Sequence, residues 1–140
     1  MSAIIMQSAE SLFLQAEAAE RFGVFGNATS LYNQAVQENF NQLGAGSSAV
    51  LTGSGGLLEF TGGLSAIINQ KFIALMSTNG FENWIEYRRT GFPATLPIAP
   101  GQTTLPVRLL YPASEYSANA NNVPAQTSAS AFTNKVFWDN

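Results

Sequence analysis

The chain has 140 residues, a net charge of −3, and neither cysteine nor histidine. This length suffices for one domain with its own core, and the missing cysteines exclude a disulfide framework and thiolate chemistry. The six basic residues are dispersed along the sequence, so they form neither the cationic stripe that binds nucleic-acid phosphates nor the basic cluster of a membrane-surface anchor. We therefore expect no nucleic-acid partner.

The low share of charged residues bears on how the surface is hydrated. Charged side chains make up 11% of the sequence, less than half of the roughly 25% that is usual, and Ser, Thr, Asn, Gln and Gly take their place. Such a surface suits a secreted or cell-surface protein. No window of about 18 apolar residues occurs, and residues 1–15 lack the basic region and cleavage site of a signal peptide.

The first third of the chain is predicted to form a helical hairpin. Residues 8–22 carry apolar and small side chains at spacings of three and four, which favours a helix. Asn27 is expected to cap a second helix over Ala28–Leu43, and Gly44 is expected to end it.

The expected seam between these two helices consists of small residues and one aromatic. Ala28, Tyr32 and Ala35 give the spacing Ala-x3-Tyr-x2-Ala, and Ala16 lies twelve positions before Ala28. This spacing matches the tetratricopeptide pattern, of which a single copy cannot bury its apolar face alone. Helix faces that lack their neighbours would favour self-association.

A glycine-rich segment, residues 44–63, follows the hairpin. It contains no Walker A motif, because no lysine follows its glycines, and its spacing does not fit a dinucleotide-binding fingerprint. We interpret it as a flexible surface loop.

The second half of the chain is predicted to hold two helices and then an irregular region. Residues 64–77 form an apolar helix, with Lys71 facing away from part of its apolar stripe, and a fourth helix covers residues 81–89. All six prolines lie between residue 93 and the C-terminus, so long helices are excluded there. One or two short strands are expected, over Val107–Leu110 and in the apolar tail 135–139, which would dock on the body of the protein.

Two acidic residues in the fourth helix invite a catalytic interpretation. Glu82 and Glu86 lie four positions apart on one helical face, and a glycosidase pair requires carboxylates about 5–10 Å apart across a sugar. Ion pairing with Arg88, Arg89 or a neighbouring helix is favoured instead, since Glu86 and Arg89 have i, i+3 spacing. We predict no catalytic residue, no cofactor and no metal site.

Several side chains could contact a ligand, although each has a commoner structural role. Trp84, Tyr87 and Trp138 could stack on a sugar ring, but aromatics at helical spacing usually face inward, and we predict Trp84 in the core. Arg88 and Arg89 could grip an anion bidentately, but arginines beside acids more often join helices and loops.

Polar residues near the C-terminus could likewise contact a ligand or have a structural role, here in a turn. Asn119, Asn121 and Asn122, beside Ser117, offer amides that suit hydroxyl-rich ligands. Asparagine also tolerates a left-handed backbone, so turn formation is favoured.

Five segments, in this order, resemble the SusD/RagB family, in its SusD-like branch. They are Ile4–Gly23; Gly26-Asn27-Ala28 with Tyr32-Asn33-Gln34-Ala35; Ile67–Leu75; Glu82–Gly91, with its Glu-x-Trp-x-Glu-x-Arg-Arg-Thr-Gly; and Pro106–Glu115 followed by the asparagines and a C-terminal Val-Phe-Trp-Asp.

The resemblance implies a fold and a function. The family comprises surface lipoproteins of the Bacteroidetes outer membrane that capture glycans or peptides, without enzymatic activity, for a TonB-dependent (SusC-like) transporter. It implies a mainly α fold: a tetratricopeptide-like hairpin plus two further helices, followed by an irregular proline-rich region. No ligand-contacting residue is carried over from the family.

The resemblance also implies how the chain is organised. We expect a single domain over 1–140 that corresponds to the C-terminal part of a SusD-like fold. It would comprise the hairpin (1–43), the glycine-rich loop (44–63), two helices (64–91) and an irregular tail (92–140). The lipid anchor and export signal are expected outside this chain.

Two other functions are compatible with the residues. A helical-repeat scaffold that mediates protein contacts, without a ligand of its own, is the alternative. A small hydrolase is disfavoured, because histidine and cysteine are absent and the carboxylates are better explained as ion pairs.

Overall fold

The computed structural model describes residues 4–137, which contain seven helices and no strand. The chain divides into two compact units, Met1–Ala94 and Thr95–Asn140. The helices are α1 (Ser8–Phe22), α2 (Ala28–Leu43), α3 (Ala49–Thr52), α4 (Leu64–Leu75), α5 (Gly80–Thr90), α6 (Ala113–Ala118) and α7 (Ser130–Thr133). The predicted mainly α fold is confirmed, while the single domain over 1–140 stays a prediction.

Local signals at the helix ends define the α1–α2 hairpin as predicted. The Gln7 backbone N–H donates to the Glu10 carboxylate, and α1 ends at Gly23. The Asn27 side chain accepts from the Ser30 backbone N–H at 2.9 Å, which satisfies a donor that a helix start leaves open. Gly44, at φ 67°, ends α2 in the left-handed region that glycine adopts without strain.

The core of the first unit lies between α1, α2 and α4. Ala16 and Ala35 are fully buried, so the small-residue seam lets the helices approach closely. The Tyr32 ring fills the space beside them, edge-on to Phe13 at 6.0 Å and stacked on Phe60 at 4.9 Å between ring centroids. Contacts of this geometry add to the stabilisation from area burial alone.

The glycine-rich segment, for which a flexible surface loop is predicted, holds one short helix and contacts α2. It contains α3, whose preceding residue Ser48 is buried and donates to the Gln37 side chain through both its backbone N–H (2.8 Å) and its hydroxyl (3.0 Å). Further along, Phe60 is buried against Tyr32. Phe60 and Ser48 therefore attach the segment to α2. The glycine-rich composition does not predict these contacts.

The inner face of α5 is polar, because α4 presents polar groups to it. The Asn83 side chain donates to the Phe72 carbonyl at 2.8 Å. Lys71, predicted to face away from part of the apolar stripe, is only 4% exposed. It lies inside because Glu86 of α5 provides a partner for its charge.

The second unit is irregular, as its prolines predict, but the strand expected over Val107–Leu110 is not formed. The backbone N–H groups of Val107 and Arg108 both donate to one carbonyl, that of Ala131, so no ladder develops. Lys135–Phe137 is not a strand either, and the Phe137 ring is 97% exposed. Residues 138 and 139 lie outside the described residues.

The asparagines of the second unit form a turn, as predicted. Asn119 ends α6, and the Asn122 side chain donates to that of Asn119 at 2.7 Å.

Within residues 4–137, no helix combines the length and the apolar character needed to cross a bilayer.

Alkaline pH should destabilise the first unit through Tyr32. Burial raises the pKa of the Tyr32 phenol above its ordinary value, so above about pH 10 the folded chain holds this proton while the unfolded chain loses it. We therefore expect the free energy of unfolding to fall between pH 8 and about pH 11, and to fall less in Tyr32→Phe. Urea titrations at pH 8 and at about pH 11 measure the two free energies of unfolding.

The matched control is Tyr116→Phe, which removes an exposed phenol from the other unit. It should lose as much stability at alkaline pH as the unmodified chain. An equal loss in Tyr32→Phe would contradict the prediction.

Candidate functional site

A chain of ion pairs joins three helices of the first unit. Lys71 of α4 lies 2.7 Å from Glu86 of α5 (Nζ to Oε2). Arg89 pairs both with Glu86 and, at 2.7 Å, with Glu17 of α1. Arg21 lies 3.0 Å from the same Glu17 (Nε to Oε1). The prediction that Glu82 and Glu86 pair with Arg88, Arg89 or a neighbouring helix is confirmed for Glu86.

Burial differs sharply between the acids and the arginines of this network. The side chains of Glu17 and Glu86 are 8% and 9% exposed, whereas those of Arg21 and Arg89 are 36% and 41% exposed. The hydrogen bond to Glu17 raises the pKa of the Arg89 guanidinium, with a smaller contribution from Glu86. The buried carboxylates therefore hold two charged guanidinium groups at the surface.

Beside this network lies a groove between α1 and α5. No Cα of α1 is within 8 Å of a Cα of α5, although both helices are described in full. The gap is open to solvent and has a volume of about 330 Å³, near the lower end of the size range of small-molecule sites. We call it the α1–α5 groove; it is lined by Leu14, Glu17, Ala18, Arg21, Phe22, Glu86 and Arg89.

The groove combines apolar and charged walls. Leu14, Ala18 and Phe22 recur every four residues on α1 and so share one face of that helix. The four charged side chains form the other part of the lining. Such an arrangement can hold a ligand with both an apolar surface and polar substituents.

Trp84 is not in the core, contrary to the prediction. It is half-buried and stacks on Phe81, with the ring centroids 5.7 Å apart and the planes at 29°. The inward positions of α5 are taken by Asn83 and Glu86, because α4 offers them the Phe72 carbonyl and Lys71. Phe81 is 52% exposed, so the pair presents an aromatic surface to solvent.

The other candidates from the sequence are dispersed. Tyr87 is half-buried, and Trp138 lies outside the described residues. Arg89 lines the groove and Arg88 does not. Glu82 is exposed at the beginning of α5, where its backbone N–H donates to the side chain of Asn79.

The sequence analysis did not identify Glu17 and Lys71 as members of the ion-pair network, or Phe81 as part of the exposed aromatic pair. The i, i+4 spacing of Glu17 and Arg21 was a signal for an ion pair. Lys71 lies three and four positions after two buried isoleucines, which places it on the apolar stripe itself. Among residues 4–137, no group of three or more acidic side chains is placed to hold a metal ion.

Comparison with known proteins supports one family. A search among curated proteins finds no match. A family model with the description "Starch-binding associating with outer membrane" matches residues 1–112, so the resemblance drawn from the sequence is confirmed. Because this match covers 112 of the 140 residues, the chain belongs to the SusD-like family of starch-binding proteins that associate with the outer membrane.

Proposed function

We propose that this protein captures oligosaccharides at the outer membrane and delivers them intact to a TonB-dependent transporter. The observation that carries the proposal is the family match over residues 1–112. Starch-derived glycans are the first ligands to test, since the family is described as starch-binding. Release would result from the transporter closing over the ligand, with no bond broken by this chain.

The ion-pair network supports a binding role without catalysis. Glu17 and Glu86 both accept hydrogen bonds from the same nitrogen, Nη2 of Arg89, and each also pairs with a second cation. A glycosidase needs one carboxylic acid that gives up a proton and one carboxylate free to attack or to activate water. Carboxylates that are held in this way serve neither role.

The Phe81–Trp84 pair is the surface we assign to stacking on a neutral sugar. The faces of aromatic rings are apolar, and they match the C–H-rich face of a pyranose. Phe81 is half-exposed at the beginning of α5, while its contact with Trp84 fixes the orientation of its ring. A site of this kind binds the sugar ring and does not react with the glycosidic bond.

Co-purification tests the proposed function. The full chain is mixed with a TonB-dependent transporter encoded in the same gene cluster, with and without a starch-derived oligosaccharide. We expect a stable complex that retains the oligosaccharide, and weaker retention with Phe81→Ala. The exposed Phe137→Ala change, in the other unit, is the control and should leave retention unaltered. A gene cluster without a transporter, or no complex, would contradict the proposal.

A scaffold function is the second candidate, favoured by one exposed apolar face. Ile73 and Met76, at the C-terminal end of α4, are both more than half exposed. A partner protein or a second copy of this chain could cover them. Dimerisation in sedimentation experiments that Ile73→Ser abolishes, together with no binding of any glycan, would favour this function over capture.

A further inference from the structure

Half of the basic residues of the chain lie at or beside the α1–α5 groove. The whole chain has six Lys and Arg residues, and three of them, Arg21, Lys71 and Arg89, belong to the network beside the groove. The charged lining of the groove is two carboxylates and two guanidinium groups, so it has no net charge. The carboxylates are only 8–9% exposed and the guanidinium groups 36–41% exposed, so the charges that a ligand meets first are positive and suit an anion.

The two arginines keep unused hydrogen-bond donors at the groove. Arg89 makes both of its hydrogen bonds through Nη2, and Arg21 approaches Glu17 through Nε. Within residues 4–137, Nε and Nη1 of Arg89 and both terminal nitrogens of Arg21 have no protein acceptor. A guanidinium has five donors in a planar fork that matches a carboxylate.

The apolar floor restricts the kind of anion. Leu14 and Phe22 are both exposed, with 71% of Phe22 accessible, and Ala18 lies between them. An inorganic anion would satisfy the arginines but leave this floor in water. A neutral sugar would cover the floor but make only weaker, uncharged hydrogen bonds to the guanidinium groups. A carboxylate attached to a ring with an apolar face satisfies both parts.

We propose that the α1–α5 groove binds a hexuronate, a pyranose whose ring bears a carboxylate. The carboxylate accepts from Arg21 and Arg89, and the C–H face of the ring covers Leu14 and Phe22. The choice of a sugar as the carrier of the carboxylate rests on the proposed function. The groove therefore prefers acidic oligosaccharides to neutral ones of the same size.

Calorimetric titration of the full chain compares two matched ligands: a hexuronate trisaccharide and the neutral trisaccharide with CH2OH in place of each carboxylate. We expect the acidic ligand to bind at least about tenfold tighter, because its hydrogen bonds are charge-assisted. The preference should shrink as the salt concentration rises, since both arginines are partly exposed.

Substitutions locate this preference in the groove. Arg21→Gln leaves Glu17 paired with Arg89, so the fold is retained, and the preference should fall several-fold. Phe22→Ala removes an exposed ring and should weaken binding of the acidic ligand. Lys135→Gln removes one positive charge from an exposed position in the other unit, and it should leave the preference unchanged.

Three results would overturn the inference. They are equal binding of the two trisaccharides, an undiminished preference in the Arg21→Gln/Phe22→Ala double variant, and tighter binding of an acidic tripeptide than of the hexuronate. Equal binding would leave glycan capture intact, whereas no binding of either trisaccharide or of starch oligosaccharides would overturn the proposed function as well.

Discussion

Replacing Lys71 with methionine is expected to lower the free energy of unfolding by about 3 kcal/mol, near the lower end of the range for breaking a buried ion pair. The ammonium group lies 2.7 Å from Glu86, and both residues are almost fully buried. Methionine would leave the Glu86 carboxylate with Arg89 as its only cationic partner among residues 4–137. Urea denaturation followed by circular dichroism measures the difference.

A double variant separates the ion pair from general disruption. Lys71→Met/Glu86→Leu replaces both charges by apolar side chains of similar size, and Arg89 keeps Glu17. Replacing both members of a buried pair is often neutral, so we expect the double variant to be more stable than Lys71→Met. A double variant that is less stable than the single one would show that the ion pair does not explain the loss. Lys135→Met, at an exposed position, should have little effect.

Phe13→Ala is expected to have the largest effect of any single truncation, about 3–5 kcal/mol. The Phe13 ring is fully buried and packs edge-on against Tyr32, where α1 meets α2. Alanine would remove its apolar surface from the core and leave a cavity that the neighbouring helices cannot fully close. Loss of cooperative unfolding, or a large shift of the urea midpoint, is the expected observation.

The same substitution at an exposed position is the control for Phe13. Phe22→Ala, at the end of the same helix, removes a ring that is already mostly in water. It should change the free energy of unfolding by less than about 0.5 kcal/mol. Equal effects at the two positions would contradict the assignment of the core.

Local signals made the α1–α2 hairpin predictable. Asn27 and Gly44 fix the ends of α2 through a side-chain bond and a left-handed backbone, and both effects depend on residues close in sequence. The buried seam of Ala16, Tyr32 and Ala35 follows from spacing alone. The attachment of the glycine-rich segment to α2 was not predictable from its composition, because Phe60 stacks on Tyr32, which is distant in sequence.

The site was less predictable, because its contacts join residues that are far apart in sequence. Arg89 meets Glu17 across 72 positions, and Lys71 meets Glu86 across 15. Trp84 was misplaced for the same reason: the polar partners offered by α4 decide which face of α5 turns inward. Sequence spacing identified the Glu86–Arg89 pair, whereas the α1–α5 groove is visible only in the folded structure.

Family membership and geometry support one account of how this chain works. The helices are held by small-residue packing and by a buried ion-pair network, so their surfaces are fixed before a ligand arrives. Two of these surfaces, the Phe81–Trp84 pair and the α1–α5 groove, combine apolar area with oriented polar groups. Side chains that are already oriented would lower the ordering cost of the glycan binding that we propose.

Calorimetric titration of the pure chain with a starch-derived oligosaccharide, followed by chromatography of the recovered sugar, tests the central claim most directly. The account predicts saturable binding and recovery of the sugar at its original length. No detectable binding of any oligosaccharide, or shortened products whose formation a single substitution abolishes, would contradict it.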